Sequence, residues 1–461
     1  MLALLLLGTQ AYAGSISAPG VIGGPDSGAA TPNVAATFYN PAALAAAKGV
    51  QVMADVQVAA IRVDATTTRN DGIDPNTGEA YTVAQARVKV PVALLGASWQ
   101  VIPDRLTVGL AVTDAFVGGG NYLAGEPDEE PPYESHQRYA GVETTVLTLH
   151  VIPAVGVRVA DGVAVGAGFK YIVDSFDTTL ASDPLGTEGV GPDGPYTADS
   201  ILTGEMSGGH IGFNGGVFVD RWQKAQVGLG VNYNGTFKAE GDGQVIAPTL
   251  LGGGTPAAKL DISLPLPVVA QLWVNSAITE QLTVGGGVEA QLWGLCCSDH
   301  DGDATIGVLS EDGDAIGADP EDGIAVSIAE TIYSPRRLNN SYNFGLNGGY
   351  QAHEHLWVGT RLAYNTHAVP DYAVSATNID YTNVGAYLAA RATFGPMQVG
   401  LSYAKYLPFE RTITNSAWDA AEDSADYVDE YLSPKNPYKA SANGTYHTKV
   451  DIVGVRIGAT F

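Results

Sequence analysis

Charge is scarce in this sequence, cysteine scarcer still, and basic residues are the scarcest of the charged ones. Asp, Glu, Lys and Arg make up 16% of the 461 residues, against roughly 25% in soluble domains. Lys and Arg number 23 against 49 Asp and Glu, for a net charge of −26. That balance excludes a nucleic-acid partner, whose phosphates require a basic face. The two cysteines, Cys296 and Cys297, are adjacent. They cannot staple a chain of this length and permit only a vicinal disulfide or a pair of loop thiols. No G-x-S-x-G, P-loop or H-E-x-x-H element is present, so neither an enzyme nor a cofactor is expected. After residue 13 no stretch approaches the ~18 apolar residues of a membrane helix.

What is present begins with a leader. Leu2 to Leu7 form a short apolar run, and Ala11-Tyr12-Ala13 is an A-x-A pattern before Gly14. Residues 1–13 therefore read as a secretory signal peptide. Glycine is abundant, 57 of 461, where the usual share is about 7%. Much glycine and little charge suit a protein whose outer surface is not all water-facing.

One short pattern recurs: Leu106-Thr-Val-Gly109, Val163-Ala-Val-Gly166, Ala225-Gln-Val-Gly228, Leu282-Thr-Val-Gly285, Leu356-Trp-Val-Gly359 and Met397-Gln-Val-Gly400. Each copy follows a short turn-like stretch, which itself follows an alternating run, so the unit is a hairpin. Uneven spacing excludes a solenoid of fixed repeat. Leu106, Val108, Leu110 and Val112 share one face; Thr107, Gly109, Ala111 and Thr113 share the other. Leu282, Val284, Val288 and Leu292 likewise oppose Thr283, Gly285, Gly287, Glu289 and Gln291. Period-2 patterning places one face in an apolar medium, which is lipid in an outer-membrane barrel, with small polar residues lining the lumen.

Connection length separates a barrel from a sandwich. Short turns alternate with long polar stretches at 64–84, 119–136, 181–206, 239–258, 295–335, 369–379 and 413–445. The acids concentrate in the long ones, as in "EPDEEPPYE" and "SEDGDAIGADPEDG". Fourteen strands are expected, near 49–63, 85–101, 105–118, 137–159, 163–180, 205–219, 224–238, 258–275, 281–294, 336–351, 355–368, 380–394, 396–412 and 446–461. The fold class is all-β, a 14-stranded antiparallel transmembrane β-barrel in the outer membrane of a Gram-negative bacterium. Only closure satisfies every strand backbone in lipid. Trp99, Trp222, Trp273, Trp293 and Trp357 fall near strand ends, as interfacial girdles do. The last strand ends on Phe461, resembling the signal read by outer-membrane assembly machinery.

A barrel this wide is a water channel or is plugged. The stretch 14–48 carries no charge before Lys48 except Asp26 and is rich in Gly, Ala and Pro. It is expected to fold back into the lumen as an N-terminal hatch, with residues 49–461 forming the barrel. Asn40-Pro41 would start a helix or turn, since proline's missing N–H costs nothing there. Phe38 and Tyr39 would supply apolar bulk.

The segment "FYNPAAL", together with "HVIPAVGVRVADGVAVGAGFKY", "LPLPVVAQLWVNSAITEQLTVGGGVEAQLWG", "YNFGLNGGYQAHEHLWVGTRLAY" and "GPMQVGLSYAKY", resembles the FadL/TodX family of outer-membrane transporters. The resemblance covers roughly residues 14 to 461. It implies transport of hydrophobic molecules, most readily long-chain fatty acids and next aromatic or alkane hydrocarbons. Capture by external loops would lead to a lumen gated by the hatch at Phe38, Tyr39, Asn40, Pro41 and Ala42. A kink in the third strand would give a lateral exit. Phe116, Gly118, Gly119 and Gly120 are the residues for that kink, although the glycines equally suit the start of an external loop.

A fatty-acid carboxylate would need a cation, and Lys89, Arg158, Lys170 and Arg361 lie in strands. Alternation turns Arg158 and Arg361 toward the lumen, where either could instead pair with Glu143 or Glu289. Asp299, Asp301 and Asp303 have the spacing of the start of a calcium loop without its glycine and glutamate, a weak metal signal. Loop acids could also meet lipopolysaccharide through divalent ions, and membrane lipid is a partner of any barrel. Two other classes remain: a polar porin, which would show charged rings and no plug, and a non-transporting surface barrel acting as adhesin or receptor.

Overall fold

In the computed structural model, residues 21–67, 84–123, 142–182, 190, 197–222, 224–249, 252–297, 304–314, 316, 331–334, 338–374, 379–416 and 442–461 are described. The wall consists of fourteen strands, numbered in chain order. They are β1 (Val50–Thr67), β2 (Ala84–Ile102), β3 (Leu106–Leu123), β4 (Glu143–Ala160), β5 (Val163–Ser182) and β6 (Ser200–Trp222). Two broken strands follow, β7 (Ala225–Tyr233, resuming as Thr236–Ile246) and β8 (Ala257–Pro265, resuming as Val268–Ala277). The circuit continues with β9 (Leu282–Leu292), β10 (Ser341–His353), β11 (Leu356–Asn365) and β12 (Asn383–Phe394). It ends with β13 (Met397–Pro408, with Arg411–Ile413) and β14 (Gly444–Thr460). A short ribbon, Ala304–Leu309 with Thr331–Ser334, extends the sheet between β8 and β9.

Neighbouring strands pair antiparallel, and β1 closes on β14 from Gln51↔Thr460 to Thr67↔Gly444. Closure leaves neither β1 nor β14 as a free sheet edge in lipid. The faces follow the alternation: Val108 and Leu110 are exposed to lipid while Thr107, Ala111 and Thr113 are buried in the lumen. Glu289 and Gln291 are buried opposite exposed Val284, and Met397, Val399, Leu401 and Tyr403 all face out. The short turns cluster at the end holding both strand termini; Asp161-Gly162 makes one, with Gly162 at φ +66°, a conformation that glycine adopts without strain.

Three expectations need correction. The girdle keeps Trp99 and Trp222, which are exposed, but Trp273 and Trp293 are buried inside and Trp357 lies inward beneath Arg391, 4.3 Å from its ring. Position near a strand end is the same for both faces, so only the register distinguishes them. Gly118, Gly119 and Gly120 do not begin a loop: β3 runs through them, pairing with Val146, Thr145 and Thr144. The lumen face also carries more than the small polar residues expected there, because larger buried amides and charges stud it.

Breaks in β7 and β8 are coupled. Gly235 at φ +74° falls opposite Leu266, and Asn234 opposite Pro267, which has no N–H. Leu266 N–H donates to Gly235 O at 3.0 Å, and Asn234 Nδ2 donates to Pro267 O at 3.1 Å. Cys296 and Cys297 form a vicinal disulfide. Cys297 packs at the long-loop end with Trp293, Leu338 and Val369.

Candidate functional site: the hatch and lumen

The hatch, described from Val21, occupies the lumen against β3 to β7. Asn33 starts its compact part by accepting the Ala35 N–H at 2.9 Å, and a single turn of helix, Ala36–Tyr39, follows. Asn40 is extended; its side chain accepts from Ala42 N–H at 3.2 Å and starts the 3-10 helix Pro41–Ala46. The same side chain donates to Ala29 O at 2.8 Å and to Val217 O of β6 at 3.1 Å. Fully buried, Asn40 thus joins the hatch to itself and to the wall. Phe38 and Tyr39 meet edge to face at 5.0 Å, and the Tyr39 hydroxyl donates to Ile22 O at 2.7 Å.

The wall answers with amides and glycines. Asn214 donates to Thr37 O and Phe38 O, each at 2.8 Å, and Asn275 to Ala30 O at 3.2 Å. These bonds satisfy hatch carbonyls that would otherwise be buried without a donor. A Cβ on Gly166 would come within 2.2 Å of Ala42 N, and one on Gly228 within 1.9 Å of Ala29 O. The repeated Val-Gly pattern is therefore, in these copies, where hatch backbone lies on strand backbone. Gly166→Val should leave barrel assembly intact but displace Pro41–Ala42. Limited proteolysis of the folded protein should then cut within 21–48, where wild type resists.

At the other side of the lumen Asp26 bonds Arg391 at 3.0 Å and Arg456 at 3.2 Å, while Arg456 Nε donates to Asp55 at 2.8 Å. Burial raises the Asp26 carboxyl, but Arg456 and Arg391 more than offset it, holding the pKa down at about 2. A lone charge in an apolar leader needs a buried partner; that was the signal in the sequence for this contact. Arg361 donates to Ser27 O at 3.0 Å and lies 4.2 Å from the Trp273 ring. Its Nε and Nη2 are buried without a hydrogen-bond partner among the described residues. Arg158 stands elsewhere, at the short-turn rim in a two-pronged pair with Asp220 at 2.7 and 2.8 Å.

Lys170, named by the sequence only as one strand cation among four, meets the hatch at Phe38, as Arg361 does at Ser27. It is fully buried, 5.1 Å from the Phe38 ring centroid, and Nζ donates to Asn234 Oδ1 at 2.9 Å. Beside it Asp174 and His210 share a 2.6 Å contact, and His210 also meets Asn234 O at 2.7 Å. No described carboxylate makes an ion pair with Lys170. The kink at Asn234-Gly235 brings this group together, which no sequence spacing shows.

The wall itself is interrupted between β2 and β3. Pairing runs from Ile102↔Leu106 to Leu94↔Thr113, stops, and resumes only at Ala86↔Tyr122. Across this seam Asp114 accepts the Ala93 N–H at 2.5 Å and Thr113 Oγ1 donates to Ala93 O at 2.7 Å. On the β4 side β3 carries a bulge, with Asp114↔Leu149 followed by Phe116↔Thr148. Inside the seam Val90, Val92 and Leu94 belong to the apolar cluster that contains Phe38 and Tyr39.

At the long-loop end Arg411 ties a loop down, donating to Asp380 O at 2.9 Å and Val369 O at 3.1 Å and pairing with Asp371. Burial pushes the Asp380 carboxyl up to about 6, against the Ala368 amide and Arg411. Asp299, Asp301 and Asp303 lie outside the described residues, as do residues 1–20, which include the stretch expected to be a signal peptide. Among the described residues no cluster has the make-up of a metal site.

The family model for outer membrane protein transport proteins (OMPP1/FadL/TodX) matches residues 7–379. This chain belongs to that family. It is an outer-membrane barrel transporter of hydrophobic compounds. Among solved structures, a Pseudomonas aeruginosa FadL homologue superposes with a TM-score of 0.70 at 14% identity over 100% of both chains. The toluene transporter TodX of P. putida gives 0.64 at 13% identity, over 98% of this chain and 99% of its own. The Ralstonia pickettii toluene transporter TbuX gives 0.61 at 13%, over 98% and 99%. At such identities these likenesses establish the fold alone. No curated protein matches the chain. In this FadL/TodX member the hatch, the buried lysine and the seam lie along one continuous lining, from Phe38 to Val90.

Proposed function

We propose that this transporter takes up long-chain fatty acids, that the hatch at Phe38–Ala42 gates the lumen, and that substrate leaves sideways through the β2–β3 seam. The observation that carries the substrate is Lys170. A buried amine with one amide oxygen for partner bears a desolvation cost that an arriving carboxylate relieves. Its place over the Phe38 ring couples that arrival to the hatch. Arg361, with two unpartnered nitrogens, is a second seat deeper along the hatch. Arg158, already paired with Asp220, supports no such role.

Lateral exit follows from the acyl chain. Each buried CH₂ is worth about 0.8 kcal/mol, so a long chain favours lipid over a watery outlet. Phe116 and Gly118–Gly120 lie on the stretch of β3 that has no β2 partner, which is the support for reading them as part of the opening.

Uptake of labelled oleate by cells lacking outer-membrane fatty-acid transport tests the reading. Expression of the wild type should raise uptake above the empty vector. Lys170→Met should lower oleate uptake at least tenfold and leave toluene uptake unchanged. Replacing a buried charge with an apolar side chain of similar length is commonly tolerated, and heat-modifiable gel mobility checks folding. Oleate uptake unaffected by Lys170→Met would remove the carboxylate reading. Toluene uptake without oleate uptake would turn the assignment to aromatic hydrocarbons.

A further inference from the structure

In a chain with 23 Lys and Arg and a net charge of −26, five of those cations gather on one lipid-facing patch. Arg62 on β1 stands opposite Lys449 of β14 and opposite Arg87 of β2, so three cations lie abreast. Ala60, two residues toward the short turns, faces Lys89 on one side and Asp451 on the other, and Asp451 faces Lys405 of β13. Arg87, Lys89, Lys405 and Lys449 are exposed, and the Arg62 side chain is 41% exposed. Like charges directly opposite on a sheet destabilise it, so the wall gains nothing from this row.

Two carboxylates share the patch. Asp64 bonds Arg62 Nε at 2.9 Å, and Asp451 takes the Tyr403 hydroxyl at 2.5 Å with Lys405 at 3.8 Å. Lys89 and Lys449 have no carboxylate partner among the described residues. At the edge His447 lies 3.4 Å from Glu410. Among the described residues these five cations stand with the carboxylates of Asp64, Asp451 and, at the edge, Glu410, and Arg87 has a further contact of its own. Lys89 and Lys449 carry the local excess, opposite in sign to the whole chain.

Height identifies what fills it. Below the row the same outward faces carry Val56 and Val58, Val453 and Val455, Leu95 and Leu401, all exposed. The ten steps from Val50 to Ala60 rise about 25 Å on a strand tilted ~40°, the height of the apolar band of a barrel. The row therefore stands where the acyl region of the outer leaflet gives way to headgroups, on the long-loop side.

We propose that this row seats the phosphates of a bisphosphorylated, multiply acylated glycolipid of the outer leaflet. Guanidinium groups match phosphate oxygens two at a time, lysines add point charge, and the valine and leucine wall below takes the acyl chains. Arg87 and Lys89 begin the β2 stretch without a β3 partner, so the seated lipid borders the seam. The seat is independent of the substrate reading above.

Native mass spectrometry of the folded barrel in detergent tests it, with synthetic bisphosphorylated hexa-acyl lipid A, its dephosphorylated analogue and phosphatidylcholine as probes. Wild type should bind the bisphosphorylated lipid at least tenfold more tightly than either control. Arg62→Gln/Arg87→Gln/Lys449→Gln should lose at least tenfold for that lipid alone, with heat-modifiable mobility unchanged. Equal binding by wild type and variant would overturn the proposal. So would equal binding of the three lipids by wild type, a comparison that stands even if the variant fails to fold. Displacement of the lipid by equimolar oleate would assign the row to departing carboxylates instead and would also overturn it.

Discussion

Deleting Ala115 should join β2 to β3 and lower uptake of hydrophobic substrate at least tenfold, in a barrel that still assembles. The reason is a mismatch of one residue. Between Thr113 and Tyr122 β3 has eight residues, whereas between Ala86 and Leu94 β2 has seven. The extra residue is the bulge at Ala115, since Asp114 and Phe116 take consecutive partners on β4. Removing it equalises the two stretches and lets the ladder continue. Unpaired backbone in lipid costs several kcal/mol per group, so the closed wall is favoured once register permits it. Pro91, without an N–H, leaves only one bond missing on the β2 side. Oleate uptake, with heat-modifiable mobility as the assembly control, gives the result. Wild-type uptake from a barrel lacking Ala115 would mean that substrate leaves by another route, through the hatch.

Asp26→Asn should open the hatch. Asp26 is the charge through which the leader grips Arg391 and Arg456. Its carboxyl, normally near 3.8, is held at about 2. A depression of that size corresponds to about 2 kcal/mol of docking energy, and the neutral amide forfeits it. The undocked population should then rise roughly thirtyfold at neutral pH. In planar bilayers the variant should conduct ions where wild type is closed. The sign of the pH effect follows from the depressed value. The contribution is fully present above the unperturbed carboxylate range, fades as pH falls below 4, and is gone once pH passes below about 2. Wild type should therefore stay closed from pH 7 to 4 and begin conducting near pH 2, while Asp26→Asn conducts throughout. Equal conductance of the two proteins at pH 7 would show that the amide bonds from Asn214 and Asn275 hold the hatch unaided.

These experiments address a wall and a plug that differ in how much of them the chain announces locally. Alternation in stretches such as Leu106–Thr113 assigns each residue to lipid or lumen, because a strand's side chains have period two whatever surrounds it. Alternating short and long connections set the strand number and the end that carries the loops. An apolar leader with one charge, and Asn40 before Pro41, mark a segment that is packed and capped rather than solvated. Everything legible in this way depends on neighbours a few residues apart.

The remaining features depend on closure and register, which bring distant residues together. Lys170 meets both Phe38 and, where β7 breaks, Asn234, and Asn40 finds Val217 across 177 positions. Trp273 and Trp293 look like girdle residues by position and lie inside by register. The seam arises from one unmatched residue between paired strands, visible only when both are laid side by side. Likewise the row of Arg62, Arg87 and Lys449 exists only because β14 closes on β1. Local alternation determines that this chain is a barrel and which way each side chain points. Which of those side chains face one another was left to the tertiary structure, since pairing partners in a closed sheet are chosen by register and not by sequence distance.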